Sequence, residues 1–142
     1  MKQVLLSLLA LAAVGSHGAE IEVTVSGVDE IRGVVRIGFY ENPADFPKTE
    51  NALEFSPAVE VTQLDEPIVV TVKDVPPGIY AVAVVWDLND DGILNTSGPF
   101  KKPTEPYAFS NNARSVFGPP KFEECSFEVV EPGGRLHIVI PE

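Results

Sequence analysis

From Glu20 onward apolar and polar residues largely take turns along the chain. Ile21, Val23 and Val25 are separated by Glu22 and Thr24, and Val35, Ile37 and Phe39 by Arg36 and Gly38. Ile68, Val70 and Val72 repeat the pattern with Val69 and Thr71 between them. Strand side chains switch faces at every residue, so this period of two puts one face on a core and one toward water. Ile79 to Trp86 is apolar at nearly every position and predicts a central strand covered on both sides. Phe127 with Val129, and Leu136 with Ile138 and Ile140, predict two closing strands, and Ala58 to Gln63 a weaker one. Pro76-Pro77-Gly78 and Pro132-Gly133-Gly134 punctuate the series as turns. The pattern predicts an all-β fold: an antiparallel β-sandwich of about seven strands. No stretch carries a sustained helical period, although Pro43 to Leu53 has room for a single turn.

Two segments break the rhythm. Val4 to Val14 is an apolar run interrupted only by Ser7, preceded by Lys2 and followed by the small residues Gly15, Ser16, Gly18 and Ala19. That is the layout of a secretory signal, and the run is shorter than the roughly 20 residues a bilayer span takes. Residues 1–19 are expected to be a signal peptide and residues 20–142 one sandwich domain. Cleavage after Gly18 puts Ser16 at the third position back, a better fit than the His17 that cleavage after Ala19 would put there. No cysteine follows the run, so no lipid anchor is expected, and no later run is long enough to span a membrane. The expected location is extracytoplasmic, periplasmic or secreted.

The second irregular segment, Ser97 to Glu123, holds five of the 13 prolines and the rings of Phe100, Tyr107, Phe109, Phe117 and Phe122. Long connections without elements of their own are often functional. Tyr107, Phe109, Asn111 and Asn112 are therefore candidates for an interaction loop, with capping of the open end of the sandwich as the plainer role for the rings.

Charge narrows the partners. The chain carries 21 acidic and 10 basic residues, a net charge of −11, which repels phosphate backbones and argues against nucleic acid. A single cysteine, Cys125, excludes a disulfide framework. It is expected to be a small buried residue, with a reactive thiol as the sharper alternative.

The candidate chemistry follows the central strand directly. In Asp87-Leu88-Asn89-Asp90-Asp91-Gly92-Ile93-Leu94-Asn95, oxygen-bearing side chains fall at loop positions one, three, five and nine, with glycine at six. That is the front half of an EF-hand type of calcium loop. Asp87, Asn89, Asp91 and Asn95 would supply side-chain oxygens and Ile93 its carbonyl. Position twelve is Gly98, so a remote acid has to replace the usual glutamate, and Glu105 is the candidate. An Asx-rich turn with no ion accounts for the same residues, because Asp and Asn favour turns. Asn95-Thr96-Ser97 also fits a glycosylation acceptor. Enzyme signals are sparse: His137 is the sole histidine after the leader and sits in an alternating strand, and Ser110 lacks a Gly-x-Ser-x-Gly setting.

Pro76-Pro77-Gly78-Ile79-Tyr80-Ala81-Val82-Ala83, running into Trp86-Asp87-Leu88-Asn89-Asp90-Asp91-Gly92, resembles the exported bacterial domain of unknown function family 2141. Pro103-Thr104-Glu105-Pro106-Tyr107-Ala108-Phe109-Ser110-Asn111-Asn112-Ala113 and Gly118-Pro119-Pro120-Lys121-Phe122 continue the likeness, which covers about Val25 to Ile140. The family pattern has Asp where this chain has Asn95. The resemblance implies export and an immunoglobulin-like or transthyretin-like sandwich, and no particular activity. The functional expectation is an exported, non-catalytic binding or accessory module with a weak calcium loop and an extracytoplasmic protein or glycan as ligand. The alternatives are an extracytoplasmic hydrolase using loop carboxylates and a purely structural envelope protein.

Overall fold

The computed structural model describes residues 18–64 and 67–141. The apolar run expected to be the signal lies outside the described residues. Within them the alternating segments become β1 (Ala19–Ser26), β2 (Val34–Tyr40), β3 (Ala58–Glu60), β4 (Ile68–Val75), β5 (Gly78–Asp87), β9 (Phe127–Val129) and β10 (Gly133–Val139). Three short strands lie between β5 and β9: β6 (Thr96–Ser97), β7 (Lys102–Pro103) and β8 (Tyr107–Phe109). A one-turn helix α1 (Phe122–Cys125) and 3-10 turns at Thr49–Asn51 and Ser110–Asn112 complete the elements.

One sheet has the order β10-β1-β4, a second the order β3-β2-β5-β8 with β9 also pairing with β5, and β6 pairs with β7 in a two-stranded hairpin. The fold is an all-β, sandwich-like arrangement with ten strands among the described residues rather than about seven. The three additional strands are β6, β7 and β8, each two or three residues long and without an alternation of apolar and polar residues. All pairings are antiparallel except β1 with β10, which runs parallel from Glu20↔Gly133 to Ser26↔Val139. Alternation fixes which face a strand buries, not which way it runs, so the sequence pattern holds no trace of this exception.

The core lies between the sheets. Ile21, Val23 and Val25 of β1 and Ile138 of β10 pack in one cluster with Val35, Ile37 and Phe39 of β2 and Val82, Val84 and Trp86 of β5. β5 is buried continuously from Tyr80 to Asp87, as its unbroken apolar run predicts. Its second face carries Ala81 and Ala83, which join Tyr40 under Phe46, Phe109, Phe122 and Cys125. Phe46 is the keystone of this outer cluster, with ring centroids 5.3 Å from Tyr40 and 5.8 Å from both Phe109 and Phe122. The rings of the long segment therefore divide. Phe109 and Phe122 cap the sheet, whereas Phe100 and Phe117 are each 93% exposed.

This arrangement sets up the end of β5. Trp86 donates its backbone N–H to the Pro106 carbonyl at 2.9 Å. That bond brings Glu105 alongside the residue where β5 runs out into the acidic loop.

Candidate metal centre

Asp87 is the last residue of β5 and its side chain is wholly buried. A buried carboxylate needs partners, and three donor bonds supply them. Arg36 Nε donates to Oδ2 at 2.7 Å and the Gly92 amide donates to the same oxygen at 2.8 Å. The Asp91 amide donates to Oδ1 at 3.2 Å, and Arg36 Nη2 reaches on to Asp90 Oδ1 at 2.6 Å. Burial pushes the Asp87 carboxyl up, but Arg36 and the two amides outweigh it and hold its pKa below the usual carboxylate value. Gly92 turns at φ +85°, a left-handed conformation in which glycine carries no steric penalty. Gly33 lies so close to the Asp87 carbonyl that a Cβ there would collide with it, which seats the loop against the sheet.

Glu105 is buried at 6% exposure and straps the loop together. Its Oε2 accepts from the Leu88 amide at 2.7 Å and its Oε1 from the Asn95 amide at 2.9 Å. Asn95 is also the base of the β6–β7 hairpin, where its carbonyl accepts from the Thr104 amide at 2.9 Å. Oxygens of Asp87, Asp91 and Glu105 lie within 4.8 Å of one another. Beside them Asn95 Nδ2 donates to Asp91 Oδ2 at 2.8 Å, and Asn95 Oδ1 is buried with no hydrogen-bond partner among the described residues.

The structure thus brings together Asp87, Asp91, Asn95 and the remote Glu105. Asn89 joins at the edge, its Nδ2 3.3 Å from Asp91 Oδ2. Ile93 enters through its amide, which donates to Asp91 Oδ1 at 3.2 Å. Each carboxylate oxygen has two acceptor sites. Asp87 Oδ1, Asp91 Oδ1 and both oxygens of Glu105 each accept one hydrogen bond and so keep one site open. A half-turn of the Asn89 or Asn95 amide would exchange nitrogen for oxygen at the same point. Arg36 was not legible as part of this centre. It sits on a neighbouring strand, opposite Val85 in the ladder, and no local spacing connects it to the loop.

The four residues of the expected interaction loop separate by role. Phe109 is core and Tyr107 is half-buried, with its ring 5.6 Å from that of Phe109. Asn111 and Asn112 are exposed, but their amides hold backbone. Asn111 Nδ2 donates to the carbonyls of Glu124 at 3.2 Å and Ser126 at 2.9 Å. Asn112 Nδ2 donates to the His137 carbonyl at 3.1 Å, and its Oδ1 accepts from the Val139 amide at 2.9 Å.

The remaining reactive groups have structural partners. Ser110 is fully buried, accepting from the Val82 amide at 2.9 Å and donating to the Cys125 carbonyl at 2.5 Å. Burial raises the pKa of the Cys125 thiol to about 11, which leaves it protonated. His137 is exposed on β10, with Nε2 2.9 Å from Ser26 Oγ.

The chain belongs to the family described as an uncharacterized protein conserved in bacteria (DUF2141), whose model matches residues 23–136. No curated protein and no solved structure matches it. Among the described residues no helix is long and apolar enough to cross a membrane.

Proposed function

We propose that the protein is an exported, non-catalytic binding or accessory module whose Asp87–Asn95 loop is completed by a calcium-type cation. The observation that carries this reading is the convergence of Asp87, Asp91 and Glu105 within 4.8 Å beside the unpartnered, buried Asn95 Oδ1. Three carboxylates this close repel one another. Arg36 offsets part of that charge, but its hydrogen bonds go to Asp87 Oδ2 and Asp90, leaving Asp91 and Glu105 without a cationic partner among the described residues. A hard cation would relieve the repulsion and give the orphaned amide oxygen a partner. With Gly98 at position twelve the bidentate glutamate is missing, so the expected affinity is on the order of 10⁻⁴ to 10⁻³ M, as in extracellular modules.

Export is supported by the apolar run after Lys2 and by the small residues that end it. The non-catalytic reading is supported by the bonding of the polar groups. Ser110 is sealed in the core and His137 lies on an open strand face. Glu105 and Asp87 have backbone amides on both oxygens, which ties them into the loop backbone. The ligand chemistry expected of such a module is an extracytoplasmic protein or glycan.

Metal analysis of the purified protein, with thermal melts in calcium and in chelator, tests the reading. At free calcium about 100 times the dissociation constant, binding adds roughly 2.7 kcal/mol to stability. Asp91→Ala should abolish the calcium response and leave the metal-free melt nearly unchanged, and magnesium should substitute poorly because it requires a smaller octahedral cage. Identical wild-type melts in millimolar calcium and in chelator, with no metal retained, would leave only the Asx turn.

A further inference from the structure

We propose that the cavity between β8, the loop that follows it and β10 binds a small organic anion, an apolar body bearing one carboxylate or phosphate group. The inference deepens the binding-module reading and rests on it. The cavity has a volume of about 790 Å³, within the roughly 300–1,000 Å³ of small-molecule sites. Tyr107 and Phe109 of β8, Pro120 and Val139 give it apolar walls.

Its shape is set without a ligand. Asn112, which lines the cavity, bridges the loop to β10 through His137 and Val139, and Asn111 ties the same loop to the backbone around α1. Both asparagines hold left-handed backbone, at φ 62° and 49°. Asparagine tolerates that conformation better than most residues, so two side-chain clamps coincide with two backbone positions that suit them.

The charge of the lining identifies the ligand class. Among the described residues Arg114, itself exposed, is the sole charged residue lining the cavity, and it has no ion pair there. In a chain of net charge −11, a cavity whose charge among the described residues is one guanidinium runs against the average field of the molecule. A guanidinium presents a planar fork of donors suited to carboxylate or phosphate oxygens. The remaining polar groups of the lining are neutral. An apolar cation would meet Arg114 unfavourably, and a neutral molecule would leave its donors unused. Val116 and Phe117 lie two and three residues beyond Arg114 and are 89% and 93% exposed.

The test uses the purified protein and the fluorescent probe anilinonaphthalene sulfonate, with decanoate, decyl phosphate and decanol as competitors. Saturable fluorescence is expected, displaced by decanoate or decyl phosphate at concentrations at least about tenfold lower than decanol requires. The stronger of the two anions identifies the head group. Arg114→Gln should weaken the anions about tenfold and leave decanol unchanged. Arg135→Gln, which removes the same charge from a residue outside the cavity, should leave all three alone. Equal competition by decanol, wild-type affinity in Arg114→Gln, or no saturable signal from a protein with a cooperative melt would each overturn the proposal. Melts of the same samples in calcium and in chelator separate the two readings. A flat calcium response with anion selectivity intact removes only the cation, whereas a calcium-dependent melt without anion selectivity removes only the ligand class.

Discussion

Arg36 meets Asp87 at 2.7 Å and Asp90 at 2.6 Å, so one guanidinium serves two carboxylates of very different burial. Asp90 is largely exposed, and solvent screens most of its contribution. Asp87 is wholly buried and gives the pair its weight. Its carboxyl titrates below the ordinary aspartate value of about 3.9, so it contributes stability that is complete above that value. The contribution is lost as pH falls through the lower, folded pKa. Acid unfolding should therefore start near about pH 4 and deepen below it. Arg36→Gln should cost about 2 kcal/mol at neutral pH and move the acid transition upward. Urea melts across the acid range measure both effects, and an unchanged acid profile would assign the depression to the Asp91 and Gly92 amides alone. At this scale the clustering of the loop's oxygen-bearing side chains was legible because their spacing is written in consecutive residues. Glu105 was reachable as the acid lacking at position twelve. Arg36 and the clamping role of Asn112 were not, because both depend on which strands become neighbours.

The elements divide the aromatic residues into those that hold the sheet and those that do not. Phe46, Phe109 and Phe122 close the second face of β5, where Ala81 and Ala83 leave room for rings. Phe46→Ala should cost roughly 3–5 kcal/mol, while Phe100→Ser should stay within about 0.5 kcal/mol of the wild type. Denaturant melts of the two variants decide whether the outer cluster is part of the cooperative fold. Comparable losses would mean that the β6–β7 hairpin also contributes to it. β1, β2 and β4 were legible because each carries three alternating apolar positions, β10 because Leu136 and Ile138 continue to Ile140, and β5 because its apolar run is unbroken. β6, β7, β8 and α1 were not, because none of them alternates apolar with polar residues over its two to four positions. They are specified instead by proline, by Asn95 and Glu105 at the base of the hairpin, and by what packs over them.

For the whole molecule, the mature start is the expectation most open to measurement. N-terminal sequencing of the natural protein should give a first residue between Ser16 and Glu20. Ala19 is 1% exposed and pairs with Val75, so cleavage before Ala19 keeps a core residue that cleavage after it would discard. A protein found in the cytoplasm and still starting at Met1 would end the export reading. The parallel pairing of β1 with β10 has a further consequence, in time rather than in space. β1 is held on one side by β4 and on the other by the last strand, which is synthesised only after the rest of the domain. Until β10 arrives one edge of β1 has no hydrogen-bond partner, and Ile138 is absent from the core. Contacts between chain segments so distant in sequence also form slowly. The first strand thus waits for the last, and the sandwich stays open until the end of the domain has been made.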